Sequence, residues 1–277
     1  MAPEPRDRGA RAAPPRLVTI AFSHYCEKAR WGLERAGLAH VEDAHLPIFS
    51  YLPLRRAGAG RTAPALIVDR DTVLTDSTDI LRWCDAHGAA PPLFPTDDPA
   101  LAAEVAALED DLDRHLGPAT RRLGYFYLLA DRAALRDVLG KHGPRWERAL
   151  GKAGRPLAVA LMRRGLRIDA AGAERSRQVI DRTFADLGGR LADGRRYLCG
   201  DRFTAADLTF AALAAPILLP PAYAAYLPAD ELLPPAFRRV VDGYRATAAG
   251  ALGLRLYEER HRQPVADAPR ASASARA

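Results

Sequence analysis

The spacing of apolar and polar residues divides the chain into two parts. In the first part, residues 17–22 form a short apolar run rich in β-branched side chains, which predicts a buried strand. From Cys26 to Ala36 the apolar positions share one helical face, and Gly37 is a suitable end for that helix. Further strands are predicted at 39–44, 65–68 and 72–74, the last two as a hairpin. Residues 58–62 read as a loop, and the stretch before them reads as irregular. A helix begins at 76–79. This order predicts an α/β domain of the form βαβ-ββα.

The second part has helical spacing throughout, after a proline-rich connector at 91–95. Asp98 and Pro99 form a helix start, and helical spacing continues through 123–136. Thr204 and Asp207 form a capping box before a nearly all-apolar helix that should be buried. We therefore predict a disordered arm at 1–15, an α/β domain at 16–89, a linker at 90–97, an all-helical domain at 98–262 and a disordered tail at 263–277.

Composition narrows the class of protein but does not name a ligand. The 277 residues carry a formal net charge of +6, too small a bias to indicate nucleic acid binding. Three scattered cysteines exclude a disulfide framework or a zinc site and favour a reducing compartment. The first sixteen residues lack the apolar core of a secretory signal, and no stretch has the roughly 20 apolar residues of a membrane span. A cytoplasmic protein is expected.

The predicted strand-to-helix junction at 23–26 carries candidate chemistry. A thiolate at this helix start would be stabilised by unpaired backbone N–H groups and by the helix dipole. Ser23 is a candidate hydrogen-bond donor to such a sulfur, or simply an N-cap. Cys26 is a candidate redox nucleophile or a small buried core residue, and no second cysteine completes a C-x-x-C pair. Tyr25 offers a phenolic hydroxyl or a packing aromatic ring.

Two later segments could complete a site around this junction. Pro64 opens a strand, and a cis bond there would turn the backbone of Ala63 outward. Asp76 and Ser77 begin the next helix, where the N–H groups and the hydroxyl suit a carboxylate and Asp76 suits an ammonium group. Ordinary helix capping explains the same two residues.

Taken in order, these motifs resemble the glutathione transferase superfamily over residues 17–256. They are S-H-Y-C-E-K-A-R-W at 23–31, A-P-A-L at 63–66, D-S-T-D-I at 76–80 and Y-L-C-G-D-R-F-T-A-A-D-L at 197–208. The resemblance implies a thioredoxin-like N-terminal domain, an all-helical C-terminal domain and glutathione as co-substrate, with no metal. It also implies that Ser23 activates the glutathione sulfur, that Ala63 beside a cis Pro64 binds its cysteinyl part, and that Asp76 and Ser77 bind its γ-glutamyl end. Arg61, Arg55 and Arg56 are candidates for its glycine carboxylate.

The resemblance predicts conjugation of glutathione to a small apolar electrophile by an enzyme that is often dimeric. Ser23 stands where cysteine-using members place their cysteine, which favours thiolate activation over mixed-disulfide catalysis. Two alternatives remain: a glutathione-dependent oxidoreductase that uses Cys26, and a non-catalytic interaction module.

Residues 132–167 form a basic insert in the helical part, with ten basic residues against Asp137 and Glu147. Breaks in its helical structure are predicted at Gly140, Gly143, Pro144 and Gly154. A solvated pair of helices, a lid over the second-substrate site, and a surface for anionic lipid or an anionic co-substrate all fit this composition. The aromatic residues at 125–127 either line the co-substrate pocket or belong to the core.

Overall fold

The N-terminal domain is built on a four-stranded mixed sheet. The computed structural model describes residues 13–262, so the predicted tail and all but the last three residues of the predicted arm lie outside the described residues. The strands are β1 (Arg16–Ile20), β2 (Val41–His45), β3 (Ala65–Ile67) and β4 (Val73–Leu74), in the order β2-β1-β3-β4. β1 is parallel to β2 and antiparallel to β3. The helices are α1 (His24–Arg35), α2 (Tyr51–Arg56) and α3 (Ser77–His87). The predicted βαβ-ββα order is confirmed.

Helix α2 lies where the sequence predicts only irregular chain. Pro53 suggests a break, yet it occupies the first turn of α2, where a missing N–H costs nothing. Leu54 is fully buried and packs with Val18 and Ala65 against the sheet. A helix of six residues is too short to show a clear apolar period, and this one is held by tertiary packing.

The C-terminal domain is all-helical, as predicted. Its helices are α4 (Pro99–Asp111), α5 (Gly117–Leu128), α6 (Arg132–Lys141), α7 (Arg145–Gly165), α8 (Ala170–Leu191), α9 (Ala205–Leu218), α10 (Pro235–Arg245) and α11 (Ala248–Arg262). A π-helical turn at Leu112–Leu116 joins α4 to α5, and short 3₁₀ turns lie at Pro221–Tyr226 and Asp230–Leu232.

Two predicted features of the helical domain are wrong. Residues 123–136 are not one helix, because α5 ends at Leu128 and α6 starts after Asp131. The Asp131 carboxylate accepts hydrogen bonds from the N–H groups of Ala133 and Ala134, which fixes a new helix start. In addition, Gly154 does not interrupt the insert, since it lies within the single helix α7.

Helix α9 forms the centre of the helical core. Nearly all of its residues are buried, as its apolar composition predicts. At its start the Asp207 carboxylate accepts hydrogen bonds from the Thr204 N–H and hydroxyl (both 2.9 Å) and from the Leu198 N–H (2.8 Å). The predicted capping residues therefore also tie the preceding loop to the core.

Helix α1 joins the two domains and buries several charges to do so. One face packs on the sheet and α3 through Ala29 and Leu33, and Trp31 enters the core of the helical domain. Lys28 and Arg30 on the same helix are also buried. Lys28 pairs with carboxylates of the helical domain, whereas Arg30 pairs with Glu42 of β2 and contacts the helical domain through the Tyr223 hydroxyl. The geometry of α1, and of the junction at its start, is thus fixed by both domains.

Candidate active site

Ser23 is the N-cap residue of α1 and directly follows the end of β1. Its N–H donates to the Ile20 carbonyl at 2.8 Å, and its own carbonyl accepts from the Glu27 N–H at 2.9 Å. The hydroxyl makes no capping hydrogen bond. It lies at the positive end of the helix dipole, where a negative charge is stabilised. The backbone of Ser23 is therefore fixed while its hydroxyl is not used to close the helix.

Cys26 lies one turn into α1 and is fully buried. Its sulfur accepts a hydrogen bond from the Ile20 N–H at 3.4 Å. Burial raises the pKa of the Cys26 thiol to about 11, although the Arg30 charge, the Ile20 N–H and the Ser23 hydroxyl act in the opposite direction. At neutral pH this group is a thiol enclosed in protein, which is the environment of a structural cysteine.

The sheet register brings the other predicted segments to the same end of the sheet as Ser23. Val18 pairs with Ala65 and Leu66 pairs with Leu74. Ala63 and Pro64 directly precede β3 and Asp76 follows β4 by two residues, so both segments lie at the end of the sheet where β1 ends. The Ala63–Pro64 bond is cis, as predicted. Among the described residues, Ala63 makes no backbone hydrogen bond, so its N–H and carbonyl are not used by that part of the chain.

The start of helix α3 is a second helix N-terminus at this end of the sheet. The Asp76 carboxylate caps it, accepting from the Thr78 N–H at 2.7 Å and from the Asp79 N–H at 3.4 Å. Ser77 is buried, and its hydroxyl has no hydrogen-bond partner within residues 13–262. Asp76 thus performs the capping role that the sequence left as an alternative, whereas Ser77 does not.

His24 and Tyr25 attach the junction to the helical domain. The His24 ring contacts the Gly117 carbonyl through Nε2 at 2.9 Å, and the Tyr25 hydroxyl donates to the Asp113 carbonyl at 2.8 Å. A methyl group at Gly117 would collide with the Tyr25 hydroxyl, so glycine is required there for close approach. Burial raises the pKa of Tyr25. These contacts hold the Tyr25 ring against the helical domain, and a catalytic role of its hydroxyl stays a prediction.

An apolar cavity of about 110 Å³ begins at Phe22, the neighbour of Ser23, and lies between the domains. Residues 46–49 line it from the N-terminal domain, and Tyr125, Leu135 and Met162 line it from the helical domain. Tyr125 therefore takes the predicted pocket position, while Phe126 and Tyr127 pack against the helical core. A smaller cavity beside it is lined by Phe22, His24 and Arg121. Enclosed apolar sites with few polar groups are typical of small-molecule pockets.

The basic insert covers this cavity. Glu147 of α7 is fully buried, and its carboxylate accepts from the Leu46 N–H at 2.8 Å and contacts His45 Nδ1 at 2.5 Å. The far side of the insert is held by Lys141, which donates to the Leu227 carbonyl, and by Arg163, which donates to the Leu129 carbonyl. Of the predicted roles for residues 132–167, this geometry matches a lid.

Two family models match the chain. The model of the glutathione S-transferase N-terminal domain matches residues 17–92, and that of the C-terminal domain matches residues 170–243, together just over half of the chain. The chain belongs to the glutathione transferase superfamily. The second match begins after the insert, so residues 132–167 fall between the two matched segments.

Solved structures, including glutathione S-transferases, share the fold at low sequence identity. The β-etherase LigF from Sphingobium is 17% identical, with a TM-score of 0.57 over 90% of this chain and 100% of that one. Maize glutathione S-transferase I, in complex with an atrazine glutathione conjugate, is 19% identical, with a TM-score of 0.54 over 89% and 99%. A Methylobacterium radiotolerans glutathione S-transferase in complex with glutathione sulfonate is 21% identical, with a TM-score of 0.50 over 87% and 95%. No curated protein matches the sequence.

The arginines proposed for the glycine carboxylate of glutathione remain predictions. Arg55 and Arg56 end α2 and are exposed. Arg61 is exposed too, and its guanidinium lies 5.6 Å from the centre of the Tyr51 ring. All three belong to the N-terminal domain, on the segment between β2 and β3.

Arg121 is a site residue that sequence reasoning missed. It lines the smaller cavity with Phe22 and His24, and its guanidinium makes no hydrogen bond or ion pair within the described part of the chain. Its positive charge contributes to lowering the pKa of His24. No motif distinguishes it from the other basic residues of this chain, and only the packing of α5 against α1 brings it to the cleft.

Lowering the pH should decrease the free energy of unfolding of this glutathione transferase fold, because His24 is buried in its neutral form. Burial, followed by the Arg121 charge, lowers the pKa of His24 to about 3. The unfolded chain protonates His24 near pH 6.5, so its contribution to stability is complete above that pH and is lost as the pH falls toward 3. We expect the urea midpoint of unfolding to fall less between about pH 6 and pH 4 in His24→Gln, which keeps an N–H donor, than in the wild type. In the wild type, the proton that His24 takes up on unfolding lowers the free energy of unfolding by up to about 1.4 kcal/mol per pH unit. Identical slopes in both proteins would contradict this assignment.

Proposed function

We propose that this chain binds glutathione at the end of the sheet, next to Ser23, Ala63 and Ser77. We propose that it holds the glutathione sulfur as a thiolate beside Ser23 and joins it to a small apolar electrophile. The observation that carries the proposal is the position of the Ser23 hydroxyl, at a helix start whose preceding residue, Phe22, lines an apolar cavity. The reaction forms a bond from sulfur to carbon and expels the leaving group of the electrophile, or adds across its activated double bond. The thiol proton passes to solvent before attack, and in the addition the carbon next to the new bond takes a proton from solvent.

The free-energy requirement is within reach of these groups. A thiol with a pKa near 8.5 needs a drop of about 2 units to be mostly ionised at neutral pH, or roughly 2.7 kcal/mol. A hydrogen bond to a charged group contributes about 1.5–3 kcal/mol, and a helix N-terminus adds about 0.3–1 kcal/mol. Ser23 and the start of α1 together match that requirement.

The burial of Cys26 counts against the oxidoreductase alternative. A mixed disulfide needs an exposed thiolate, and Cys26 is enclosed, with its pKa raised to about 11. The non-catalytic alternative differs in its expected binding, since a module that only docks proteins need not bind glutathione.

Titration with glutathione by calorimetry tests the binding step. We expect saturable binding to the wild-type protein and an affinity at least tenfold lower for Ser77→Ala, because a hydroxyl bonded to a carboxylate contributes about 1.5–3 kcal/mol. Ser176→Ala is the matched control: this serine is also buried, but it lies on α8 and its hydroxyl accepts from Arg122. The control should bind glutathione as the wild type does.

Absence of saturable binding to the folded wild-type protein would overturn the proposal and favour the non-catalytic module. Equal affinities for wild type and Ser77→Ala would leave a glutathione site in place but would remove Ser77 from it. Conjugation is then measured separately with a chromogenic nitroaryl chloride.

A further inference from the structure

The outer face of α7 carries an apolar stripe that faces solvent. Trp146, Leu150, Leu157 and Leu161 are 56%, 58%, 67% and 55% exposed. At 3.6 residues per turn these four positions fall within about 60° of the helix circumference. Large apolar side chains on a soluble protein are usually exposed singly, and an aligned set is typical of an interaction surface.

The stripe continues onto the N-terminal domain. The rings of Trp146 and Phe49 meet edge to face at 5.3 Å, and the neighbouring Ile48 is 54% exposed. Ile48 and Leu150 also line the large apolar cavity. The apolar surface of α7 and the mouth of the cavity are therefore parts of one surface, which we call the α7 face (Ile48, Trp146, Leu150, Leu157 and Leu161).

Exposed cations lie on the same helix as the α7 face. At 3.6 residues per turn, Arg164 has the same angular position as Trp146, whereas Arg145 and Lys152 lie about 100–120° from it around the helix. Arg145, Lys152 and Arg164 are exposed, and none makes an ion pair with another described residue. The one acidic residue of α7, Glu147, is buried and bonded to the N-terminal domain. The acidic residue of α6, Asp137, pairs with Lys141. The exposed charged groups of α7 are thus all positive.

We propose that the α7 face docks on an anionic lipid surface. A basic helix with a tryptophan and leucines on one side lies in the plane of a bilayer interface, with its apolar side at the depth of the headgroups and its cations on the anionic lipids. The exposed cations of α7 favour an anionic lipid surface as the partner, because their charge is opposite to that of its headgroups. The described helices include none long and apolar enough to cross a bilayer, so the contact is peripheral.

Docking in this way would turn the mouth of the cavity toward the lipid. A lipophilic co-substrate dissolved in the bilayer would then enter between Ile48 and Leu150 without crossing water. This consequence rests on the proposed conjugation, whereas docking itself does not.

Vesicle flotation of the full chain tests the docking. We expect binding to phosphatidylcholine vesicles that contain phosphatidylserine, little binding to phosphatidylcholine alone, and weakening by added salt. The apolar variant Leu157→Ser/Leu161→Ser and the charge variant Lys152→Glu/Arg164→Glu should each reduce binding more than tenfold, since one cation near such a surface contributes roughly a fivefold factor. Arg175→Glu/Arg239→Glu is the matched control, with the same charge change at exposed positions on α8 and α10.

Several outcomes would overturn the proposal. Absence of binding to anionic vesicles would do so, as would an equal loss of binding in the control, which would indicate a diffuse charge effect. A wild-type dimer that Leu157→Ser/Leu161→Ser converts to a monomer, without vesicle binding, would assign the α7 face to a second copy. Calorimetry with glutathione on the same preparations separates these outcomes from failure of the proposed function.

Discussion

Replacing Ser23 with alanine should lower the rate of glutathione conjugation by about 10- to 150-fold and leave glutathione affinity nearly unchanged. The hydroxyl is proposed to stabilise the thiolate, and a hydrogen bond to a charged group contributes about 1.5–3 kcal/mol. The backbone contacts of Ser23 to Ile20 and Glu27 do not involve the side chain, so α1 should keep its start. The pH–rate profile gives an independent readout, since the apparent pKa of the bound thiol should rise in Ser23→Ala.

Cys26→Ala is the matched control for Ser23→Ala. It removes a second sulfur or oxygen group from the same helix turn, and a buried thiol with a raised pKa should contribute nothing to the rate. We expect the rate of this variant to stay within about threefold of wild type, with a loss of stability near 1 kcal/mol for the smaller core side chain. If Ser23→Ala retained the wild-type rate while Cys26→Ala lost thiol-transfer activity, the oxidoreductase alternative would replace the proposal.

The sequence predicts the local parts of this site well because each part depends on short-range rules. A β-branched run followed by a serine and helical spacing fixes β1, Ser23 and α1. The prediction of a cis bond at Pro64 and of a helix start at Asp76 depends on neighbouring residues in the same way. The antiparallel pairing of β3 with β1 and of β4 with β3 then brings these parts to one end of the sheet.

The sequence does not predict contacts that depend on the packing of one domain on the other. Tyr25 is a candidate catalytic hydroxyl in the sequence, but only the structure shows that it donates to the Asp113 carbonyl, 88 residues away. Arg121 reaches the cleft only through the packing of α5, and Glu147 supports the lid only because β2 ends beside it. No pattern in E-K-A-R at 27–30 predicts that Lys28 and Arg30 are buried, and only the packing of the two domains shows it.

Lys28 should be the costliest single side chain to remove at this interface. It is fully buried, and its ammonium group donates to Glu109 at 2.5 Å, to Asp113 at 2.6 Å and to the Thr78 hydroxyl at 2.9 Å. One cation therefore connects α1, the start of α3 and the helical domain. Burying this ion costs desolvation energy, which its two carboxylate partners offset.

We expect Lys28→Met to lower the free energy of unfolding by about 3–5 kcal/mol, because it leaves the Glu109 carboxylate buried without a cation. Urea unfolding measures the loss. Adding Glu109→Gln to Lys28→Met removes the uncompensated charge, so the double variant should be more stable than the single one, as coupling between the two residues requires. A loss below about 1 kcal/mol in Lys28→Met would show that solvent reaches this cluster.

Because Thr78 follows Ser77 directly, loss of Lys28 should also weaken glutathione binding, and Glu109→Gln should not restore that binding. The two readouts therefore separate the role of Lys28 in holding the domains together from its role in placing the start of α3.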